Sequence, residues 1–380
     1  MSLSLAPHLG EANATAVLVV LAAVSLVYLV YFLDEKPYKG FPVVGLEKHG
    51  FFRMAKARAA WIVNGCEILE QGAKQFPGAF QVITASGPKI VLPNRYANEI
   101  RNNPHMSFGK IITREFFSSY PGFEPFDTLN QHNIIQDATK NKLTQSLTLF
   151  TADISAEVTK ILEELLGDDE QKWTTLPLRS LTARTIAQVT SRVFLGPELS
   201  QNAEWLTLCT TYAVTAFAAQ QALLSWSPLL RPFVHRFLPA LVMDRYVEKE
   251  VVLSDGLTLP AGSALMVHAT NNLDEAIWPR AKEFDGYRFV KLREQPGEEN
   301  RHQLVTTSAE HLGFGLGLHA CPGRFFAANT MKLMLAQFVM KYDWKFVDEK
   351  PQLRAAFGSS VYVNPTLQVA AKRRKEEVKL

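Results

Sequence analysis

The apolar pattern opens with one long run: residues 14–33 read ATAVLVVLAAVSLVYLVYFL, without a charge. At 1.5 Å per residue a run of this length spans the roughly 30 Å hydrocarbon core of a bilayer, so it predicts a transmembrane helix. A cleaved signal peptide is the rival, and a buried core helix a second one. No basic residue precedes the run and no small-x-small site follows it; instead come Asp34, Glu35, Lys36 and Lys39. An uncleaved anchor is therefore the expectation. Residues 1–13 carry no Lys or Arg, whereas Lys36, Lys39, Lys48, Arg53, Lys56 and Arg58 crowd the other flank. The positive-inside rule then places residues 1–13 in the lumen and the bulk of the chain on the cytosolic side of the endoplasmic reticulum membrane, as a single-pass protein. Asn13-Ala14-Thr15 is an N-glycosylation sequon, so Asn13 is a candidate glycosylation site facing the lumen. Tyr28 and Tyr31 suit the interfacial belt, and residues 34–45, with Pro37, Gly40, Pro42 and Gly45, read as a stiff tether.

Beyond the tether the period changes to that of helices. Residues 46–241 are mostly helix-like, with amphipathic stretches over 153–166 and 182–194 and a stop at Leu195-Gly196-Pro197. A hairpin interrupts them early, from residues 80–84 and 89–92 about a Gly-Pro turn, and residues 122–127 read as an irregular aromatic loop. After Pro239, Asp255-Gly256 joins two short strands in residues 251–262, and residues 264–268 extend the second. A coil follows over 278–310, then a Gly-rich approach to an apolar helix over 325–339 and a charged tail at 372–380.

Composition narrows the classes. The chain has 380 residues, 47% hydrophobic and 20% charged, which excludes disorder and a polytopic transporter. Its net charge of +3, from 40 Lys+Arg against 37 Asp+Glu, gives no reason to expect nucleic acid as a partner. Three scattered cysteines, Cys66, Cys209 and Cys321, make no disulfide framework.

One of these cysteines stands in a chemical context. Residues 311–327 read HLGFGLGLHACPGRFFA, which places Cys321 at the start of the apolar helix, where unpaired N–H groups favour a thiolate. Pro322 suits a first helical turn, Gly315, Gly317 and Gly323 let the backbone approach a flat ligand, and Phe314 offers it an aromatic face. A soft thiolate in such a pocket is a ligand for iron.

This stretch resembles the haem-binding signature of the cytochrome P450 family, F-x-x-G-x-[RH]-x-C-x-G, at Phe314, Gly317, His319, Cys321 and Gly323. The resemblance implies that Cys321 is the axial ligand of haem b iron and that His319 meets a haem propionate. Residues 284–289, after Trp278-Pro279, resemble the family's aromatic-Arg segment, where Arg288 belongs to a structural charge network. Residues 92–101 with Ser107-Phe108, and residues 191–205, are similar to fungal microsomal members. Such members oxidise apolar terpenoid, polyketide or alkaloid intermediates of secondary metabolism with O₂, taking electrons from NADPH through cytochrome P450 reductase. The fold implied is a mainly α haem-thiolate domain with small β elements, here over residues 46–371.

The family pattern also has a gap. Neither the central helix with its acid-alcohol pair near A-G-x-x-T nor the E-x-x-R helix is present, and the expected junction falls near residues 240–245. Roughly 120 residues are absent by the size expected of such a domain, and no catalytic acid is assigned. The string Glu298 to Arg301 lies in a charged coil after Arg288 and reads as chance; residues 136–149 offer Lys140 and Lys142 but no Trp, so no propionate contact is assigned there. Phe116, Phe117, Phe123 and Phe126 fit core packing better than a substrate loop. Two other readings stay open: an inactive, truncated pseudoenzyme or incomplete gene model that binds haem without oxygenating, and a purely structural membrane-tethered protein.

Overall fold

The structure, a computed structural model, describes residues 16–25, 27–28, 34–50, 52–120, 123–129, 134–226, 231, 245–247, 249–267 and 274–375. Asn13, His268 and nearly all of the junction at 240–245 lie outside them. The apolar run at 14–33 is described at 16–25 and 27–28, which are helical with exposed side chains. No described helix is long and apolar enough to cross a membrane.

The tether docks onto the domain. Strand β1 (Val43–Val44) pairs in parallel with β2 (Phe80–Thr84), which forms the expected hairpin with β3 (Gly87–Leu92). Every residue of β2 and β3 is buried, so their polar side chains need internal partners. The Gln81 amide donates to the carbonyls of Tyr38 and Phe41 at 2.8 and 2.7 Å and accepts from the Tyr38 N–H at 2.8 Å, clamping the tether. Lys89 Nζ lies 3.0 Å from Glu115 Oε1, both side chains nearly without exposure, and burial pushes the Lys89 ammonium below its ordinary range. Asp34 and Glu35 pair with Arg58 and Arg114.

The six-stranded sheet runs in the order β1, β2, β3, β9 (Ala264–Val267), β6 (Arg245–Val247), β4 (Met106–Ser107). Here the sequence expectation is corrected. Residues 264–267 do not extend the Asp255-Gly256 hairpin, which is only β7 (Val251–Val252) and β8 (Thr258–Leu259). They form β9 instead, parallel to β3 with Ile90 opposite Leu265, because Ala264 and Leu265 are as apolar as the strand they complete. Helix α1 (Arg53–Gln75) covers the sheet so closely that a Cβ on Gly72 would meet the Phe80 ring at 2.3 Å. Its core takes in Trp61, Val82, Val91, Phe117 and Phe123, with Phe126 packed against it; Phe116, the last residue of α3 (Phe108–Phe116), is buried with Ile112 and Ala216. The four phenylalanines are core residues.

A second core holds the helical half. Helices α5 (Leu147–Leu166) and α6 (Leu178–Leu195) and the final long helix α10 (Arg324–Lys341) enclose Ile154, Val158, Ile161, Leu181, Phe326 and Met334. Between them, α7 (Pro197–Ser200) and α8 (Ala203–Ser225) continue the helical run after the Gly196 stop. A polar seam sets the register of α10 on α5. Thr151, Ser155 and Thr159, spaced at one helical face, accept from Asn329, Gln337 and Lys341 at 3.4, 2.8 and 3.1 Å. Strands β10 (Tyr342–Phe346), β13 (Gln368–Arg373) and β5 (Thr174–Pro177) close this half, and β11 (Arg354–Phe357) with β12 (Ser360–Val363) forms a separate hairpin.

Candidate functional site

The loop before α10 is built by local turns. Gly315 and Gly317 take left-handed backbone angles, φ of 71° and 70°, and Gly315 N–H and Ala320 N–H close turns onto the carbonyls of Leu312 and Gly317 at 2.9 and 3.0 Å. Cys321 N–H donates to the Phe314 carbonyl at 2.8 Å and closes the loop. A side chain at Gly317 would lie 2.5 Å from Arg101 Cβ, so the loop packs onto the chain just after helix α2 (Ala97–Ile100). Asn102 Oδ1 accepts from Leu318 N–H at 2.7 Å across the same contact.

Cys321 is a half-buried free thiol, as are Cys66 and Cys209. Gly323 is the N-cap of α10, so Cys321 stands two residues outside the helix, and Pro322 lies in the preceding turn rather than the first helical one. The reason is Arg324, whose side chain donates to the carbonyls of Cys321 and Val305 at 3.1 and 3.2 Å and holds the segment as a turn. Burial pushes the Cys66 thiol above its ordinary range, with Glu67 and Glu70 adding to the effect, which leaves that cysteine a weak nucleophile.

Two clefts flank the loop. The larger, of about 1000 Å³, is lined by Gly317, Leu318, His319, Ala320, Pro322, Arg324 and Phe325 on the loop side, faced by Phe108, Lys110, Gln136 and Lys140 among others. The smaller, of about 340 Å³, is mostly apolar, with Ile100, Met106, Leu265, Met266, Val267, Leu312 and Leu316. His319 lines both, its ring 6.0 Å from that of Phe108. Phe314 and Cys321 line neither, although Cys321's two neighbours border the larger cleft. A Cβ on Gly323 would lie 3.7 Å from Thr139 Cγ2.

The structure adds residues that the sequence did not assign. Lys140, in the π-turn Thr139–Leu143, reaches the larger cleft, and so do Arg101 and Lys110, giving three cations besides Arg324 and His319 against Asp137. Lys142 does not line it. Gln136 Oε1, on the same cleft, is buried without a hydrogen-bond partner among the described residues. The chain shows no local signal for this gathering beyond the lysines at 140 and 142, because Arg101, Lys140 and His319 are far apart in sequence.

Arg288 lies elsewhere, at the start of α9 (Arg288–Arg293). It makes no ion pair among the described residues, contrary to the charge network expected of it. Its guanidinium donates to three carbonyls, those of Pro279, Arg280 and Glu283, and it is half-buried, so no buried charge is left without compensation. Glu298 and Arg301 form a 2.9 Å ion pair on the surface, with His302 on the same carboxylate, which agrees with a chance string.

Comparisons with known proteins carry the same assignment. A family model described as Cytochrome P450 matches residues 229–370, which include the whole loop. The chain is 28% identical to cytochrome P450 monooxygenase pyr3 of Aspergillus fumigatus, with 83% of this chain and 86% of the relative aligned. It is 29% identical to cytochrome P450 monooxygenase esdpI of Penicillium shearii, over 80% and 84% of the two chains. With cytochrome P450 monooxygenase bsc11 of Alternaria brassicicola it shares 26% identity over 92% of each. The solved structure titled "Retinoic acid bound cyanobacterial CYP120A1" shares the fold, with a TM-score of 0.58, 12% identity and coverage of 88% of this chain and 100% of that one. The alignment with pyr3 runs over 451 positions but takes up 83% of 380 residues, so well over a hundred of its positions have no counterpart in this chain. The matched segment with its loop and these relatives make the chain similar to the cytochrome P450 monooxygenases, a family whose chemistry rests on a haem-thiolate iron.

Proposed function

We propose that this chain is a membrane-anchored monooxygenase that oxidises an apolar intermediate of secondary metabolism, with the catalytic domain on the cytosolic side of the endoplasmic reticulum and electrons delivered from NADPH by cytochrome P450 reductase. The observation that carries the reading is the loop closed by the Cys321 N–H to Phe314 carbonyl bond, with its left-handed glycines and its cation-lined cleft. The residues of the loop suit haem b. Cys321 is a free thiol ahead of a helix N-terminus, and the cleft beside the loop gathers Arg101, Lys110, Lys140 and Arg324 against Asp137, as a dianionic ligand requires. When bound, the haem iron supplies the activation of dioxygen that no side chain provides.

The residues of the chain then hold and exclude. Cys321 would supply the thiolate that holds the iron, Lys140 would offer positive charge to the propionates, and His319 would offer a ring nitrogen to them. Leu265, Met266, Val267, Leu312 and Leu316 wall the smaller cleft with apolar groups, which suits a substrate without charge. The uncharged run at 14–33 supports the anchor, and the Lys and Arg flank its orientation.

A second reading is favoured by the unmatched alignment positions, which we place at the junction near residues 240–245. The sequence carries no A-G-x-x-T string, so on this reading the chain would hold haem yet lack the distal proton relay of that helix. One experiment separates the readings. Full-length chain is loaded with haem, reduced and exposed to carbon monoxide, beside Cys321→Ala. A thiolate-type shift in the parent, lost in the variant, with substrate-dependent NADPH consumption in the presence of reductase supports the monooxygenase. The same shift without turnover supports the remnant, and indistinguishable haem retention in parent and variant, without the shift, sinks both.

A further inference from the structure

A third cavity is built around the buried ion pair of the first core, which neither cleft beside the loop uses. It holds about 90 Å³ between β3, α3 and the β11–β12 turn, with Lys89 and Glu115 on its wall beside Trp61, Leu224, Met266 and Phe357. The two charged side chains are 5% and 3% exposed. Glu115 Oε1 stands 3.0 Å from the Lys89 ammonium, yet among the described residues it accepts no hydrogen bond of good geometry. A buried carboxylate oxygen in that position costs free energy until a donor reaches it. The rim of the cavity is held in place. Gly358 N–H donates to the Ile62 carbonyl at 2.9 Å, and a Cβ on Gly65 would meet the Gly358 backbone at 2.3 Å, so the β11–β12 turn rests directly on α1. The cavity is therefore formed before any ligand arrives, which lowers the cost of filling it.

The wall selects the chemistry of the occupant. Lys89 and Glu115 together carry no net charge, so at this depth an anion is repelled by the carboxylate and a cation by the ammonium. A hydroxyl suits both, because its O–H donates to Glu115 Oε1 while its oxygen accepts from the ammonium. The volume is well below the roughly 300 Å³ of a pocket for a whole small molecule, so it fits the end of one. Met266 lines both this cavity and the smaller, apolar cleft beside the loop, and its unbranched side chain is a wall that can swing aside.

We propose that this cavity receives the hydroxyl end of an apolar alcohol, held between Lys89 and Glu115, with the rest of the molecule passing Met266 toward the smaller cleft. This rests on the reading above that the chain takes an apolar small molecule, and it narrows that class to alcohols.

Purified full-length chain without haem is titrated with 1-octanol, with its isomer 1-methoxyheptane and with octanoate in one detergent, following indole fluorescence, since Trp61 borders the cavity. The parent is expected to bind the alcohol about tenfold more tightly than the ether, which lacks the O–H that reaches Glu115, and octanoate no better than the ether. The double variant Lys89→Met with Glu115→Leu, which removes both charges together and so leaves neither buried alone, should bind alcohol and ether alike. Equal affinity for alcohol and ether in the parent, tighter binding of octanoate, or a preference that survives in the double variant overturns the proposal. So does a signal that survives Trp61→Phe, since the alcohol then sits elsewhere; should the double variant not fold, the parent's choice between alcohol and ether decides. The Cys321-dependent carbon-monoxide spectrum is read separately. A thiolate spectrum with no preference for the alcohol sinks this proposal alone, and the preference without that spectrum sinks the monooxygenase reading alone.

Discussion

Two neighbouring stretches of the chain, residues 274–302 and 311–341, both carry aromatic and branched apolar residues, and they meet opposite fates. In the first, Phe284 is 100% and Tyr287 70% exposed, and among the described residues no side-chain hydrogen bond reaches more than nine residues along the chain. In the second, Leu316 and Phe326 are each 8% exposed, and hydrogen bonds reach Asn102 and Ser155, 216 and 182 residues away. What differs is the surface each one faces. The loop and α10 have α5, α2 and the sheet edge to pack against, whereas the coil has nothing described that covers its aromatics. Arg288, without carboxylates opposite, folds its charge back onto its own loop's carbonyls. Hydrophobic residues are buried by partners, and a segment short of partners forms local turns instead.

The contrast can be broken or sharpened by substitution. Phe326→Ala, which empties a buried site between α5, α6 and α10, is expected to cost about 3–5 kcal/mol in urea unfolding. A cost below about 1 kcal/mol would show that the helical half is not packed as described. Gly317→Ala adds a Cβ at 2.5 Å from Arg101 in a left-handed residue, and roughly 2–4 kcal/mol should be lost. Haem retention should fall with it; stability and haem uptake both at parent levels would mean that the loop does not lie against Arg101. Asn102→Ala removes the acceptor for Leu318 N–H, and about 1 kcal/mol is expected, measured by the shift in denaturant midpoint at constant slope. In the coil, Arg301→Ala and Phe284→Ser should each stay within about 0.5 kcal/mol of the parent. A larger loss at Phe284 would reveal a partner surface and remove the difference between the two stretches.

Much of the local architecture was legible beforehand. The periods over 153–166 and 182–194 predicted α5 and α6, the Gly-Pro turn predicted the β2–β3 hairpin, and Gly196 ends α6 at the Leu195-Gly196-Pro197 stop. The loop at 311–323 was legible as a chemical unit as well. What escaped was long-range. Residues 264–267 read as the end of a hairpin yet pair with β3, more than 170 residues earlier in the chain. Lys89 and Glu115 show no periodic signal of their own, and only the covering of β2 and β3 on both faces makes them a buried pair.

The sequence by itself therefore determined many of the elements and the glycine-rich turn at Cys321, because helical period, strand alternation and glycine backbone freedom are properties of a few consecutive residues. It also carried the missing stretch, since a motif's absence is visible without coordinates. Only the tertiary structure decided that Arg101, Lys140 and His319 face one cleft, that Arg288 is satisfied by carbonyls, and that the tether is clamped by Gln81. Those facts depend on α10 lying in one register on α5 and β9 beside β3, and such a register is set by side chains far apart in the chain that meet only when the cores close.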